Sequence, residues 1–307
     1  MNSNPRLAPA MRQSSQARDR PEKDRDENAW PKEAQLHQPP EQTQLLLAER
    51  ASGLAVKAYL LQCGLPFLER ISDHAEFMSP GGRLTRLPLL RLGPVRVLSE
   101  FGPIAAHVEA TQPGHCLDGW LAEEQRDEMR CLASYVENVF SLAEIHFSFM
   151  DTLNYQLYTG PRSGAAHPWP LCLLRRFAKQ REANRLLKVY QWTTLDPDEV
   201  LHEVSLCCGA LVAKLEENEA GAKYFFGARP CQLDALVFGH VAAILSTRMP
   251  NMEMTDLLYG FPRLIAHCRR IDNSLFQGQL LAEEGEDLLD DQEEEEEEGA
   301  TEQHKQN

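Results

Sequence analysis

The chain has 307 residues, 31 Lys and Arg against 46 Asp and Glu, 43% hydrophobic residues and eight Cys. Its net charge of −15 is unevenly spread: residues 1–40 carry +1, residues 282–307 carry −12, and the remaining body holds only −4. Without a basic stripe to displace counterions from phosphates, a nucleic-acid binder that relies on phosphate neutralisation is not expected.

Residues 1–40 are rich in Pro, Gln, Ser, Arg and Asp and poor in large apolar groups. They cannot bury enough surface to offset their chain entropy and are expected to be disordered. Residues 1–18 are free of acids and carry Arg6, Arg12 and Arg18, a faint presequence signature. Pro5 and Pro9 interrupt the amphipathic helix such a signal needs. There is no apolar signal-peptide core either, so secretion is not expected and the cysteines, which lack C-x-x-C spacing, read as reduced thiols.

The first ordered block is expected over 41–112. Ser52–Cys63 reads as a helix with Leu54, Ala58 and Leu61 on one face, ended by Gly64 and Pro66. Phe67–Ile71 reads as a strand. Leu87–Leu92 and Val95–Leu98 form two β runs joined at Gly93-Pro94, and Ser99–Val108 follows as a short helix. A small mixed sheet flanked by helices is the economical packing.

Over 113–281 the pattern is helical throughout. In Glu123–Met150 the apolar residues Leu132, Val136, Val139, Phe140, Ala143 and Phe147 recur at the spacing of a bundle face. A second helix opens at Asp196-Pro197-Asp198-Glu199, with Asp196 as N-cap, Pro197 at the first helical position and Glu199 as the reciprocal acid. Leu233–Ser246 is apolar nearly all round and predicts a buried central helix; Asp234, His240 and Arg248 argue against Leu233–Met249 being a membrane span. Residues 282–307, with six consecutive Glu at 293–298, form an expanded polyacidic tail that either solvates the protein or attracts basic partners.

The order of a small α/β block and an all-α block, with Leu87-Pro88 before a strand and Ser99-Glu100-Phe101-Gly102-Pro103-Ile104 opening a helix, resembles the glutathione transferase fold. That resemblance implies a thioredoxin-like N-terminal domain followed by an all-α helical-bundle C-terminal domain. It also implies a cis Leu87-Pro88 bond at the glutathione-binding edge and a γ-glutamyl-binding acid at Glu100. Phe101 stands where the family has a hydroxyl, so the glutathione positions Leu87, Pro88, Glu100 and Phe101 read as vestigial. Cys231-Gln232-Leu233-Asp234 resembles the family's helix-capping box, with Cys231 replacing the hydroxyl and Asp234 retained as the structural cap.

Within that superfamily, seven stretches in consistent order resemble the metaxin family, its metaxin-2 branch in particular. They include Ser52–Tyr59, Ala75–Gly82, Ser99–Ile104, Pro168–Leu171, Tyr224–Phe226, Leu233–His240 and Cys268–Ile271. What this implies is a non-enzymatic adaptor on the cytosolic face of the mitochondrial outer membrane. It would act with an anchored metaxin-1-like protein and the sorting and assembly machinery for β-barrel proteins, touching the membrane indirectly or peripherally and requiring no cofactor. The competing reading is a cytosolic glutathione-dependent transferase or thiol reductase.

Such an enzyme needs a thiol-activating side chain at the start of the first helix. Ser52 is the one candidate, and a Ser there is more simply an N-cap. Cys63 lies at the far end of the same helix. Cys207-Cys208 point about 100° apart on a helix and cannot clamp one metal ion, so burial is expected. His240 has no carboxylate or Cys within a helical turn and reads as a hydrogen-bonded core or interface residue. Trp169, held between Pro168 and Pro170, is either a partner anchor or packs over its own helices.

Overall fold

The computed structural model describes residues 29–77, 85–94, 96–217 and 222–281. The N-terminal half runs β1 (Gln35–Gln38), α1 (Leu47–Gln62), β2 (Leu68–Ile71), β3 (Leu89–Leu92), β4 (Arg96–Ser99) and α2 (Phe101–Thr111). The strands form one mixed sheet in the order β2-β1-β3-β4. β1 and β2 are parallel and connected through α1, because parallel neighbours require a crossover. β3 lies antiparallel to β1, and β4 antiparallel to β3 through a turn at Gly93, whose φ of +72° favours glycine.

The N-terminal boundary corrects the sequence reading. Strand β1 falls inside the segment expected to be disordered, and it is paired on both sides of the sheet. Four residues disappear in a 40-residue average, yet Ala34, Leu36 and His37 are buried, and the Trp30 indole donates to the Pro66 carbonyl at 2.8 Å. Residues 1–28 and the acidic segment 282–307 lie outside the described residues, as do Val95 of the expected hairpin and much of the Ala75–Gly82 stretch.

Helix α1 also begins earlier than expected. Ser52 is its sixth residue and caps nothing; the Leu46 amide donates instead to the Glu49 carboxylate at 3.1 Å. The reason is burial. Leu46 and Leu47 are covered by the core, so the helix starts where that apolar pair begins.

The C-terminal half is helical: α3 (Glu123–Phe149), α4 (Thr152–Asn154), a π turn (Tyr155–Thr159), α5 (Gly160–Gly164), α6 (Leu171–Val189), α7 (Pro197–Glu216), α8 (Gln232–Ser246), α9 (Glu253–Tyr259) and α10 (Pro262–Leu275). Asp196 and Glu199 cap α7 reciprocally, at 2.9 and 3.0 Å, as their spacing predicts. α8 is central, with twelve of its fifteen residues buried, and it packs along α1 so that one apolar core runs through both halves.

The cap of α8 works differently from the expectation. Cys231 occupies the N-cap, but its thiol donates to Asp234 Oδ2 at 3.0 Å rather than accepting an amide. Asp234 also accepts from the Cys231 amide at 2.8 Å and from the Phe225 amide at 3.1 Å. An acceptor for the next amide comes from the loop before α3: Asp118 Oδ1 takes the Gln232 N–H at 2.9 Å. A carboxylate from elsewhere thus satisfies part of the helix terminus that the missing hydroxyl would have served.

Candidate functional site

A cleft of about 530 Å³ separates the sheet side of the molecule from α3 and α6. Glu49 and Ser52 of α1, with Leu46 just before it, line one wall, Leu87 and Glu100 one end, and α3 and α6 the opposite wall. Of the positions that the resemblance assigns to glutathione, Leu87 and Glu100 line this end of the cleft, and Pro88 and Phe101 do not. Leu87-Pro88 is cis, and the Pro88 carbonyl accepts the Glu100 amide at 3.2 Å, joining the edge of β3 to the start of α2. Glu100 takes a φ of 64°, and its carboxylate faces Arg86 at 3.0 Å.

Phe101 does not face the cleft. It is buried, with its ring edge-on to Tyr59 at 5.6 Å. The start of α2 therefore offers no side-chain hydroxyl to a γ-glutamyl group.

Ser52 does line the cleft, one and a half turns inside α1, and no Cys or His lines it among the described residues. Cys63 is buried at the far end of the helix, and burial pushes its thiol up to about 12. A thiol so protonated is a poor nucleophile.

The electrostatics oppose a ligand with two carboxylates. Among the described residues, five acidic ones (Glu49, Glu76, Glu100, Glu137 and Glu182) and three basic ones (Arg86, Arg175 and Lys179) line the cleft. Each base already meets a carboxylate: Arg86 with Glu100, Arg175 with Glu76 at 2.6 Å, and Lys179 with Glu49 at 3.1 Å and with Glu76. Burial alone would lower the pKa of Lys179, but Glu49 and Glu76 outweigh it and hold the ammonium above its ordinary range. The Arg175–Glu76–Lys179–Glu49 cluster was missed by the sequence reading. Its one legible signal is the i, i+4 spacing of Arg175 and Lys179, which puts both on one helix face.

The remaining candidates lie elsewhere. Trp169 stands on the surface, 78% exposed, in the loop before α6. Cys231 and Asp234 are buried at the start of α8, where Asp234 Oδ1 also lies 3.3 Å from His267. His240 meets Glu144 of α3 at 2.7 Å, both buried, and burial raises the pKa of Glu144. Cys207 and Cys208 are both buried; burial raises the first thiol and pushes the second up to about 12. Among the described residues no group of His, Cys, Asp and Glu could hold a metal ion.

Comparison with known proteins decides the family. The chain is 37% identical to human metaxin-2 over 248 residues, covering 81% of this chain and 90% of the relative. The chain belongs to the metaxin family. A metaxin-2 homolog of Caenorhabditis elegans is 30% identical over 67% of this chain and 85% of its own length. Metaxin-1 of Macaca fascicularis is 28% identical over 71% and 68%. The model for Tom37, described as an outer mitochondrial membrane transport complex protein, matches residues 53–179, and a glutathione S-transferase C-terminal domain model matches 204–271. Among solved structures, a glutathione S-transferase of Ceriporiopsis subvermispora in complex with glutathione superposes with a TM-score of 0.52 at 11% identity, over 81% of this metaxin and 99% of that chain. That likeness establishes the glutathione-transferase-like fold.

Proposed function

We propose that this metaxin is a non-enzymatic adaptor on the cytosolic face of the mitochondrial outer membrane. It docks onto a membrane-anchored metaxin-1-like partner and serves the machinery that imports proteins and inserts β-barrels. The family carries the location: relatives are metaxins, and the matching family model is described as an outer-membrane transport complex protein. Among the described residues no helix is long and apolar enough to cross a membrane, which fits attachment through an anchored partner.

The observation that favours an adaptor over the enzyme is the pairing inside the cleft. Glutathione brings two carboxylates and a thiol. Among the described residues, the three basic residues lining the cleft are each engaged by a carboxylate, and no Cys or His lines it beside Ser52. Desolvating further negative charge against Glu49, Glu76 and Glu100 is costly.

Calorimetric titration of the full chain with glutathione tests this. No saturable heat at millimolar ligand is the expected result. Saturable binding together with Ser52-dependent conjugation of an electrophile would establish the transferase reading instead.

A further inference from the structure

Helix α6 turns its apolar side the wrong way. Its buried residues are only Ala183 and Leu187, whereas Leu173, Leu174 and Phe177 are 55, 64 and 63% exposed. Trp169 stands beside them, just before the first turn, at 78%. At about 100° per residue, Leu173, Phe177, Arg181 and Lys188 fall on one line along the helix, with Leu174 and Arg185 adjoining it. The outward sector is therefore apolar in its first two turns and cationic in its last two.

Positive charge lies on both sides of the helix. α6 carries six basic residues and a single acid, Glu182. Arg175, Lys179 and Glu182 line the cleft, and Arg176 lies over the Tyr155 ring. Arg181, Arg185 and Lys188 are exposed, with no ion pair among the described residues; Glu182, also exposed, adjoins their sector one turn before Arg185.

We propose that this face of α6, with Trp169, is a docking surface for an anionic lipid bilayer. The segregation runs along the axis rather than between two faces, which suits a helix that meets the surface with its N-terminal end: Trp, Phe and Leu enter the boundary between headgroups and acyl chains, while the Arg and Lys of the later turns stay at the phosphates. An anionic leaflet supplies the complementary charge for all three cations at once. Body residues 41–281 carry −4 and residues 282–307 a further −12, so attraction to an anionic surface must come from this local patch against a chain that is negative as a whole. The inference adds a lipid contact to the adaptor reading without depending on an anchored partner, because lipid alone suffices to test it.

The test is flotation of the full-length chain with phosphatidylcholine vesicles, with and without phosphatidylserine, at low and high salt. The expected result is binding to the anionic vesicles only, weakened by salt. R181E/R185E and W169S/F177S should each reduce it by at least about tenfold. Both pairs are at the surface, and unchanged thermal melting shows that the variants fold. Absence of vesicle binding, or binding indifferent to both variants, overturns the proposal. So does loss of self-association or of partner binding in W169S/F177S with vesicle binding intact, which assigns the face to a protein. Cross-linking of Arg181 or Arg185 to the chain's own acidic 282–307 segment, with no vesicle binding, assigns it to that segment. A negative vesicle result leaves the partner-docking reading standing, so the two fail separately.

Discussion

Gly239 of α8 lies directly on Ala55 of α1: a methyl group built on Gly239 would sit 2.5 Å from the Ala55 side chain and 2.6 Å from the Ala51 carbonyl. No larger residue fits at this crossing, where the sheet side of the molecule meets the helical half. The neighbours are backbone and Cβ atoms that cannot rotate away. Gly239→Ala is expected to destabilise the chain by about 1–3 kcal/mol through overpacking, measured by urea unfolding. Any preference of Ala for helix acts in the opposite direction and is smaller.

Asp234 gathers the Phe225 amide, the Cys231 amide and thiol, and His267 around one buried carboxylate. Asp234→Ala removes the acceptor of the Cys231 amide and thiol and of the Phe225 amide, and a loss of about 2–4 kcal/mol is expected. Cys231→Ser keeps a donor toward Asp234 and is expected to change stability by less than about 1 kcal/mol. Paired melts of the two variants measure both.

Lys179 bridges Glu49 and Glu76 on the cleft wall, where Glu76 also meets Arg175. Its side chain is 17% exposed, so water screens the cluster in part. Lys179→Met is expected to cost about 1–3 kcal/mol. A double substitution with Glu49→Gln should recover part of that loss. Independent losses in a double-mutant cycle would show that the three groups are not coupled.

His37 on β1 is buried, and neither ring nitrogen has a hydrogen-bond partner among the described residues. Burial lowers its pKa, and the charges of Arg91 and Arg70 add to that. With the folded pKa below the unfolded value of about 6.5, the neutral ring's contribution is complete above that pH. It is lost as pH falls through that value toward the folded pKa. Unfolding midpoints of wild type and His37→Leu should therefore separate on acidification from pH 7 to pH 5, in favour of the variant. A constant gap across that range contradicts the assignment.

What could be read from the sequence follows from where the information resides. α3, α7 and α8 declare themselves because their stripes and caps are local, and the Asp196–Glu199 pair forms as its spacing requires. Strand β1 does not. Its four residues are held by neighbours far along the chain, and only pairing with both β2 and β3 makes Gln35–Gln38 a strand. Ser52 looked like a cap because hydroxyls usually start helices, but burial of Leu46 and Leu47 moved the start back. α6 escaped notice for a different reason: apolar residues lie on both its faces, so no amphipathic stripe is visible. One end of the cleft was legible through the resemblance at Leu87 and Glu100. The ion-pair cluster was not, because Glu49, Glu76 and Lys179 come from three separated segments.

The most direct test of the adaptor account is fractionation of the protein at its native level. Isolated mitochondria would be treated with external protease, or extracted with alkaline carbonate, and the co-purifying proteins identified. The account predicts a mitochondrial protein cleaved from outside, released by carbonate and bound to a membrane-anchored metaxin-1-like partner. Recovery in the cytosol alone, with no such partner, would contradict it.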